Sequence, residues 1–252
     1  SSYQELGNNT KVYIYFETNI KPIKVGTHLS NKIDANQSQT QGENAYFILE
    51  FPENTKKITA RYGISYISEE QAMKNLQREI KDYSLSSLVK KGRQIWNETL
   101  SKINVEGDDE EAKVVFYTSL YRTYERMINI SEDGRYFSAY DGKVHNDEGR
   151  SFYVDDWIWD TYHATHPLRV IIEPEMEGDM IFSFIRMASQ MKNKWMPTFP
   201  EVNGDSRRMN SNHAVATVID AYIKGLRTFD LEEAYQYSKA DITEKTLAPW
   251  SS

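Results

Sequence analysis

The spacing of hydrophobic side chains changes once in this chain, near residue 68, and the change divides what can fold on either side of it. Before that point they alternate. Val12, Ile14, Phe16, Thr18 and Ile20 share one side of an extended segment, with Tyr13, Tyr15 and Glu17 on the other. A period of two is that of a half-buried strand. Alternation returns at Ala45, Phe47, Leu49 and Phe51, and again at Ile58, Ala60, Tyr62, Ile64 and Tyr66, with Pro52-Glu53-Asn54-Thr55 as the turn between them. The polar stretch 26–44, rich in Asn, Gln, Ser and Thr, reads as a long loop or an irregular hairpin. Three strands within residues 1–67 predict the closing part of an antiparallel β domain.

After residue 68 the period becomes helical. Ser68-Glu69-Glu70-Gln71 is a capping box, with the Ser hydroxyl and the Gln side chain placed to satisfy free N–H groups. It opens a helix carrying Ala72, Leu76 and Ile80, and a second follows through Leu88, Val89, Ile95, Trp96 and Leu100. Residues 68–107 therefore predict linker helices. Asp108-Asp109-Glu110-Glu111 places negative charge at the positive end of a third helix. Its stripe of Ala112, Val115, Phe116, Ser119, Leu120, Thr123 and Met127 predicts a core face.

Residues 133–154 interrupt the helices. Asp133-Gly134 and Asp141-Gly142 are turn pairs that predict a small β-hairpin. A helix is then expected from the 155–167 stretch to about Ile172, and another with Met180, Ile181, Phe184, Ile185, Met187 and Ala188 on its inner face. Pro197 and Pro200 exclude a helix from the next segment and predict an ordered loop. A helix from Ala214, capped by Ser211 or Asn212, and one capped by Asp230 follow. Paired helices joined by polar loops over 108–252 predict part of a helical toroid. The fold class is α+β.

Charge and composition narrow the function. Thirty-seven acids against 30 bases give a net charge of −7, and no Lys/Arg face stands out, which argues against nucleic acid. The absence of cysteine excludes disulfides and thiolate metal sites. No apolar run approaches the roughly 18 residues of a membrane span. The first residues do not read as a signal peptide; they read as mid-domain, with the expectation that a leader has been trimmed.

The chemistry concentrates in Asp155-Asp156-Trp157-Ile158-Trp159-Asp160-Thr161-Tyr162-His163-Ala164-Thr165-His166-Pro167. Carboxylates bond hydroxyls and indole rings cover apolar C–H faces, a combination suited to sugars. A buried helix start whose Asp caps and whose Trp fills core fits the same residues. Asp160, His163 and His166 fall at i, i+3 and i+6, a loose arrangement for a metal on one helix. Asp155, Asp156, Asp160, Glu201 and Asp205 are the candidate acids for acid–base work. Glycoside hydrolysis holds two carboxylates roughly 6.5–9.5 Å apart when it inverts and about 5 Å apart when it retains. Asn203-Gly204-Asp205 fits a plain turn equally well.

Several separate motifs resemble one family. Trp159-Asp160-Thr161-Tyr162 followed by His166-Pro167-Leu168 is similar to a signature of the glycoside hydrolase family 92 α-mannosidases. So are Gly134-Arg135-Tyr136 and Tyr140-Asp141-Gly142-Lys143-Val144 before it. After it come Asn203-Gly204-Asp205-Ser206 through Met209, His213-Ala214-Val215, and Ile219-Asp220-Ala221-Tyr222-Ile223-Lys224-Gly225. Ile64-Ser65-Tyr66-Ile67-Ser68 and Asn75-Leu76 resemble the exit of that family's β domain.

The resemblance implies an exo-acting, inverting, calcium-dependent α-mannosidase acting on mannose-containing glycans. It implies an N-terminal β-sandwich and a C-terminal (α/α)6 barrel with the site between them. On that reading residues 1–67 are the C-terminal part of the sandwich, 68–107 the linker helices and 108–252 the N-terminal part of the barrel. The family's general acid lies in a Gly-Asn-Glu-Pro block and its base in a Gly-Asn-Asp-x-Gly block. Neither occurs here, so no residue of this chain is assigned a catalytic role, and the calcium ligands are unassigned. Asp160 would bind mannose hydroxyls with Trp159 beside it, and Asp205 and His213 would line the same cavity; Asp205 stands where many members have Glu. The resemblance also implies a periplasmic, cell-surface or secreted location. An open barrel leads to an expectation of self-association. The alternative reading is a non-catalytic carbohydrate-binding or scaffold protein.

Overall fold

A computed structural model describes residues 2–30, 32–209 and 211–244. The first part contains six strands among the described residues: β1 (Ser2–Gly7), β2 (Thr10–Thr18), β3 (Lys24–Leu29), β4 (Lys32–Asp34), β5 (Tyr46–Glu50) and β6 (Ala60–Ser65). They form two antiparallel three-stranded sheets, ordered β1-β2-β6 and β4-β3-β5. Alternation marked β2, β5 and β6. The other three escaped because β1 is largely polar and β4 has only three residues, so neither carries an apolar period, while β3 lies in the polar stretch read as a loop or hairpin. Asn8 and Asn9, with φ of 49° and 59°, make the tight turn between β1 and β2.

Helix α1 (Glu69–Glu79) lies across β2 and β6 rather than away from the sheet. Gly63 makes this close approach feasible, since a Cβ there would fall 2.4 Å from the Ala72 carbonyl and 2.8 Å from Leu76 Cβ. The capping box is half formed. Ser68 Oγ accepts from the Gln71 N–H at 3.1 Å, but the Gln71 side chain turns elsewhere. Its amide donates to Asn75 Oδ1 at 3.0 Å and Asp133 Oδ2 at 2.6 Å, and its oxygen accepts from Arg135 at 2.8 Å. Beside it, buried Glu132 accepts from the Tyr66 N–H at 2.8 Å and from Asn75 Nδ2 at 2.7 Å. These side chains fasten the β6–α1 junction to the 130s segment, so the Gln is worth more to the junction than to the helix end.

Helices α2 (Leu85–Leu100) and α3 (Glu110–Arg122) are capped by Ser84 and Asp109. They meet where Trp96 packs against Tyr121 and Tyr124, with centroids 4.5 and 6.2 Å apart. The expected core stripe of α3 is corrected here. Only Leu120 and Met127 of it are buried, Met127 lies beyond the helix end, and Val115 is 65% exposed, because no described element covers the outer side of the pair.

Short strands follow: β7 (Ile128–Asn129), β8 (Arg135–Ser138), β9 (Lys143–Asn146) and β10 (Tyr153–Val154). β8 and β9 are the hairpin expected from its turn pairs, and β10 pairs with β7. The helix expected through to Ile172 is two pieces, α4 (Ile158–Thr161) and α5 (Thr165–Ile172), broken at Tyr162 to Ala164. Pro167 accounts for the break. It lacks an N–H and clashes with the preceding turn, so it is accommodated only in the first turn of a helix, which is where α5 places it.

Helix α6 (Pro174–Gln190) has Pro174 at its first position and is the centre of the core. Met180, Ile181, Phe184, Ile185 and Ala188 pack against Phe152, Val154, Ile158 and Met196. A two-residue hairpin, β11 (Pro200–Glu201) with β12 (Gly204–Asp205), precedes α7 (His213–Ile223) and α8 (Leu231–Thr243). Asn212 stands at the α7 cap without a side-chain cap bond, whereas Asp230 caps α8 as expected. Helix α6 packs on α5, α7 and α8. No helix among the described residues is long and apolar enough to cross a membrane.

Candidate functional site

The single turn α4 carries Trp159 and Asp160 out of the core. Ile158 is fully buried and anchors the turn, while Trp157 and Trp159 are 48% and 45% exposed. Asp160 is exposed, and its carboxylate has no hydrogen bond or ion pair among the described residues. His213, the first residue of α7, stacks on Tyr162 at 3.9 Å and 10°, and Trp159 meets it edge-on at 5.1 Å. His163 lies on the other neighbour, 3.9 Å from the Tyr162 ring. His213 Nε2 is buried with no partner among the described residues. Burial, and to a lesser extent His163, lower the His213 pKa, which favours the neutral ring. Trp159, Asp160 and His213 are thus brought together as an aromatic wall with one free carboxylate at its edge.

Asp205 sits apart, in the β11–β12 hairpin. Its carboxylate accepts the backbone N–H groups of Thr198, Phe199 and Arg207 at 2.9, 2.8 and 3.1 Å, which fixes the loop around it. That loop joins the aromatic wall through the Asp156 N–H, which donates to the Pro200 carbonyl at 2.9 Å. It joins the β unit through a reciprocal pair of amides. Asn8 Nδ2 donates to the Asn203 carbonyl at 2.7 Å, and Asn203 Nδ2 donates to the Leu6 carbonyl at 3.0 Å. Gly204, at φ +114°, makes the hairpin turn that offers Asn203 to β1. Tyr140 lies close by; burial first, and then the charges of Asp205, Glu201 and Asp155, hold its phenol well above the ordinary value.

The remaining candidate acids have other occupations. Asp155, at φ 62°, pairs with Arg126, whose guanidinium also lies 4.6 Å over the Trp157 ring. Burial raises the Asp155 pKa against the opposing effect of Arg126, with Asp156 adding to the rise. Glu201 faces Arg208 at 3.4 Å. Asp156 is fully buried, accepting from Thr161 Oγ1 at 2.9 Å and meeting His166 Nε2 at 2.9 Å. The other ring nitrogen of His166 meets Glu177 Oε1 at 2.8 Å. Burial works against a charged His166, but Glu177 and Asp156 outweigh it and bring its pKa up to about 10. Arg169, equally buried, caps the carbonyls of Thr123 and Arg126.

This arrangement removes the Asp160, His163 and His166 metal reading, because both ring nitrogens of His166 are committed to carboxylates. Among the described residues no three His, Asp or Glu side chains converge to hold a metal ion. Sequence reasoning missed Glu177 and Asn8. Glu177 had a signal, since it lies three and four residues before Met180 and Ile181, on the apolar face of α6. Asn8 had none, because its partner is 195 residues away.

Comparison with known proteins places these features in a family. The chain is 29% identical to an inverting mannosidase of family GH92 from Bacteroides thetaiotaomicron, with a TM-score of 0.79 over 93% of this chain and 32% of that one. A GH92 α-mannosidase of the same bacterium superposes with a TM-score of 0.81 at 23% identity, over 94% of this chain and 33% of the other. A structure of that enzyme with mannoimidazole gives 0.80 at 24% identity, covering 93% and 32%. The chain thus spans about a third of the length of these solved relatives. Its mixture of helices and small antiparallel sheets is the arrangement they share. No curated protein sequence matches it. Residues 71–251 match the glycosyl hydrolase family 92 catalytic domain, and the chain belongs to that family.

Proposed function

We propose that this chain contributes part of the substrate-binding wall of an exo-acting, inverting α-mannosidase that removes terminal α-linked mannose from glycans. The observation that carries the reading is the pairing of an exposed indole, Trp159, with the Asp160 carboxylate, which has no partner among the described residues, on one turn. The ring suits the C–H face of a pyranose and the carboxylate its hydroxyls. His213 supports Trp159 from behind, and Asp205 holds the neighbouring loop in place.

The domain division at residues 67 and 107, with the (α/α)6 barrel and β-sandwich on either side, belongs to this proposal. So do a calcium requirement, a periplasmic, cell-surface or secreted location, and self-association through the exposed faces of α2 and α3. Calcium would polarise sugar hydroxyls. The described residues supply no cluster of three acidic or imidazole side chains to hold it.

The family's acid and base blocks do not occur in the 252 residues, so the chain by itself is expected to bind mannosides without hydrolysing them. Titration with methyl α-mannoside followed by NMR tests this. Binding should disappear in Asp160→Ala. Mannose release by the purified chain would refute the assignment of chemistry elsewhere, and an Asp160→Ala variant that binds unchanged would refute the assignment of the wall.

A further inference from the structure

We propose that Thr161 is a positioning residue: its hydroxyl, held by Asp156, sets the orientation in which α4 presents Trp159 and Asp160. The proposal rests on the mannoside-binding reading for its consequence, but its geometry stands separately. Helix α4 is one turn of four residues with no side-chain cap, so little within it fixes its direction. Ile158 anchors one side in the core. The end nearest Asp160 is held by the Thr161 Oγ1 bond to Asp156 Oδ1 at 2.9 Å, which closes a loop around Trp157, Ile158, Trp159 and Asp160. The same hydroxyl lies 3.2 Å from the Trp157 carbonyl.

Asp156 is itself immobilised from two directions, one of them reinforced from behind. Its N–H bonds the Pro200 carbonyl, its second oxygen meets His166, and His166 is held by Glu177 of α6. Asp156, His166 and Glu177 are 0–1% exposed, so this chain of charges has no water to relax into. A carboxylate fixed in this way offers Thr161 one acceptor position, and the turn inherits that position. Asp160 has no partner of its own among the described residues, so its direction depends on this anchor.

Thr161→Val keeps the shape and removes the hydroxyl, and Thr161→Ser keeps the hydroxyl. Two readouts separate positioning from general stability. The first is the indole N–H signal of Trp159, assigned by its loss in Trp159→Phe, with Trp195 as an internal control. The second is affinity for methyl α-mannoside. Thr161→Val should shift or broaden the Trp159 signal while leaving Trp195 in place, and weaken affinity about fivefold, the size expected for one net hydrogen bond. Thr161→Ser should restore both.

An unchanged Trp159 signal in a folded Thr161→Val chain overturns the proposal, as does failure of Thr161→Ser to restore it. If the unaltered chain binds no mannoside, the substrate reading fails and the Trp159 signal alone decides the positioning role. Should Thr161→Val not fold, Thr161→Ala, which places no apolar group against Asp156, is read by the same two criteria.

Discussion

Replacing His166 by Gln removes the cation bonded between two buried carboxylates. His166 is raised from its ordinary 6.5 to about 10, so it is charged in the folded chain at neutral pH. A group raised on folding adds stability that is complete below its unfolded pKa and is lost as pH rises through the folded value. The window here runs from about pH 6.5 to about 10. A tenfold change in proton affinity corresponds to about 1.4 kcal/mol, so the full effect is on the order of 5 kcal/mol, of which roughly half is lost between about pH 7 and 9. His166→Gln leaves Asp156 and Glu177 without the cation bonded to both and only the charge of Arg169 to offset them, at a cost of roughly 3–5 kcal/mol near pH 7. Urea unfolding at a series of pH values, followed by circular dichroism, measures both. Tyrosine and lysine ionisation at the alkaline end is common to the two proteins and cancels in the difference. The stability gap between them should narrow by roughly 2–3 kcal/mol from about pH 7 to 9. A gap that stays constant would refute a charged His166.

Histidine NMR titration should show His213 changing below 6.5, since burial and His163 both disfavour its charge, while His166 does not titrate until strongly alkaline pH; the reverse order would refute the electrostatics of the wall. Gly63→Ala should lower stability by roughly 1–3 kcal/mol, because its Cβ would strike the α1 backbone that crosses it; a neutral effect in chemical denaturation would show that α1 does not lie there. Glu132→Ala should cost about 2–3 kcal/mol, leaving Asn75 and the Tyr66 N–H without their charged acceptor. Amide exchange should then rise at Tyr66, and protection unchanged there would count against the junction.

What could be read from the sequence was what repeats locally. Val12, Ile14 and Phe16 announced β2 because the residues on one of its faces are apolar, whereas β1 is largely polar and β4 has three residues, so neither prints a period. Ser68 and Asp230 were legible as caps because a cap's partner is three residues away. Gln71 was misread for the same reason in reverse: its stronger partners, Asp133 and Arg135, are distant in sequence. The α3 stripe showed where apolar side chains lie but not whether anything covers them. At the site, Trp159 and Asp160 were visible as residue types, and the family resemblance singled out His213 as well. The bond from Thr161 to Asp156, and the relay through His166 to Glu177, depend on how α5 and α6 pack and leave no spacing to recognise.

The paired amides of Asn8 and Asn203 carry a consequence for the order in which the molecule is made. Asn8 emerges from synthesis before its partner, which follows 195 residues later. The β1–β2 turn can form at once, but the bond that ties it to the β11–β12 loop must wait for nearly all of the intervening chain to fold. Contacts of such long span carry a large loop-closure cost and are slow to form. The loop holding Asp205 is therefore expected to be among the last parts to become ordered in refolding, after the α6 core has closed. Of the two segments joined, the one synthesised first is in this sense fastened last.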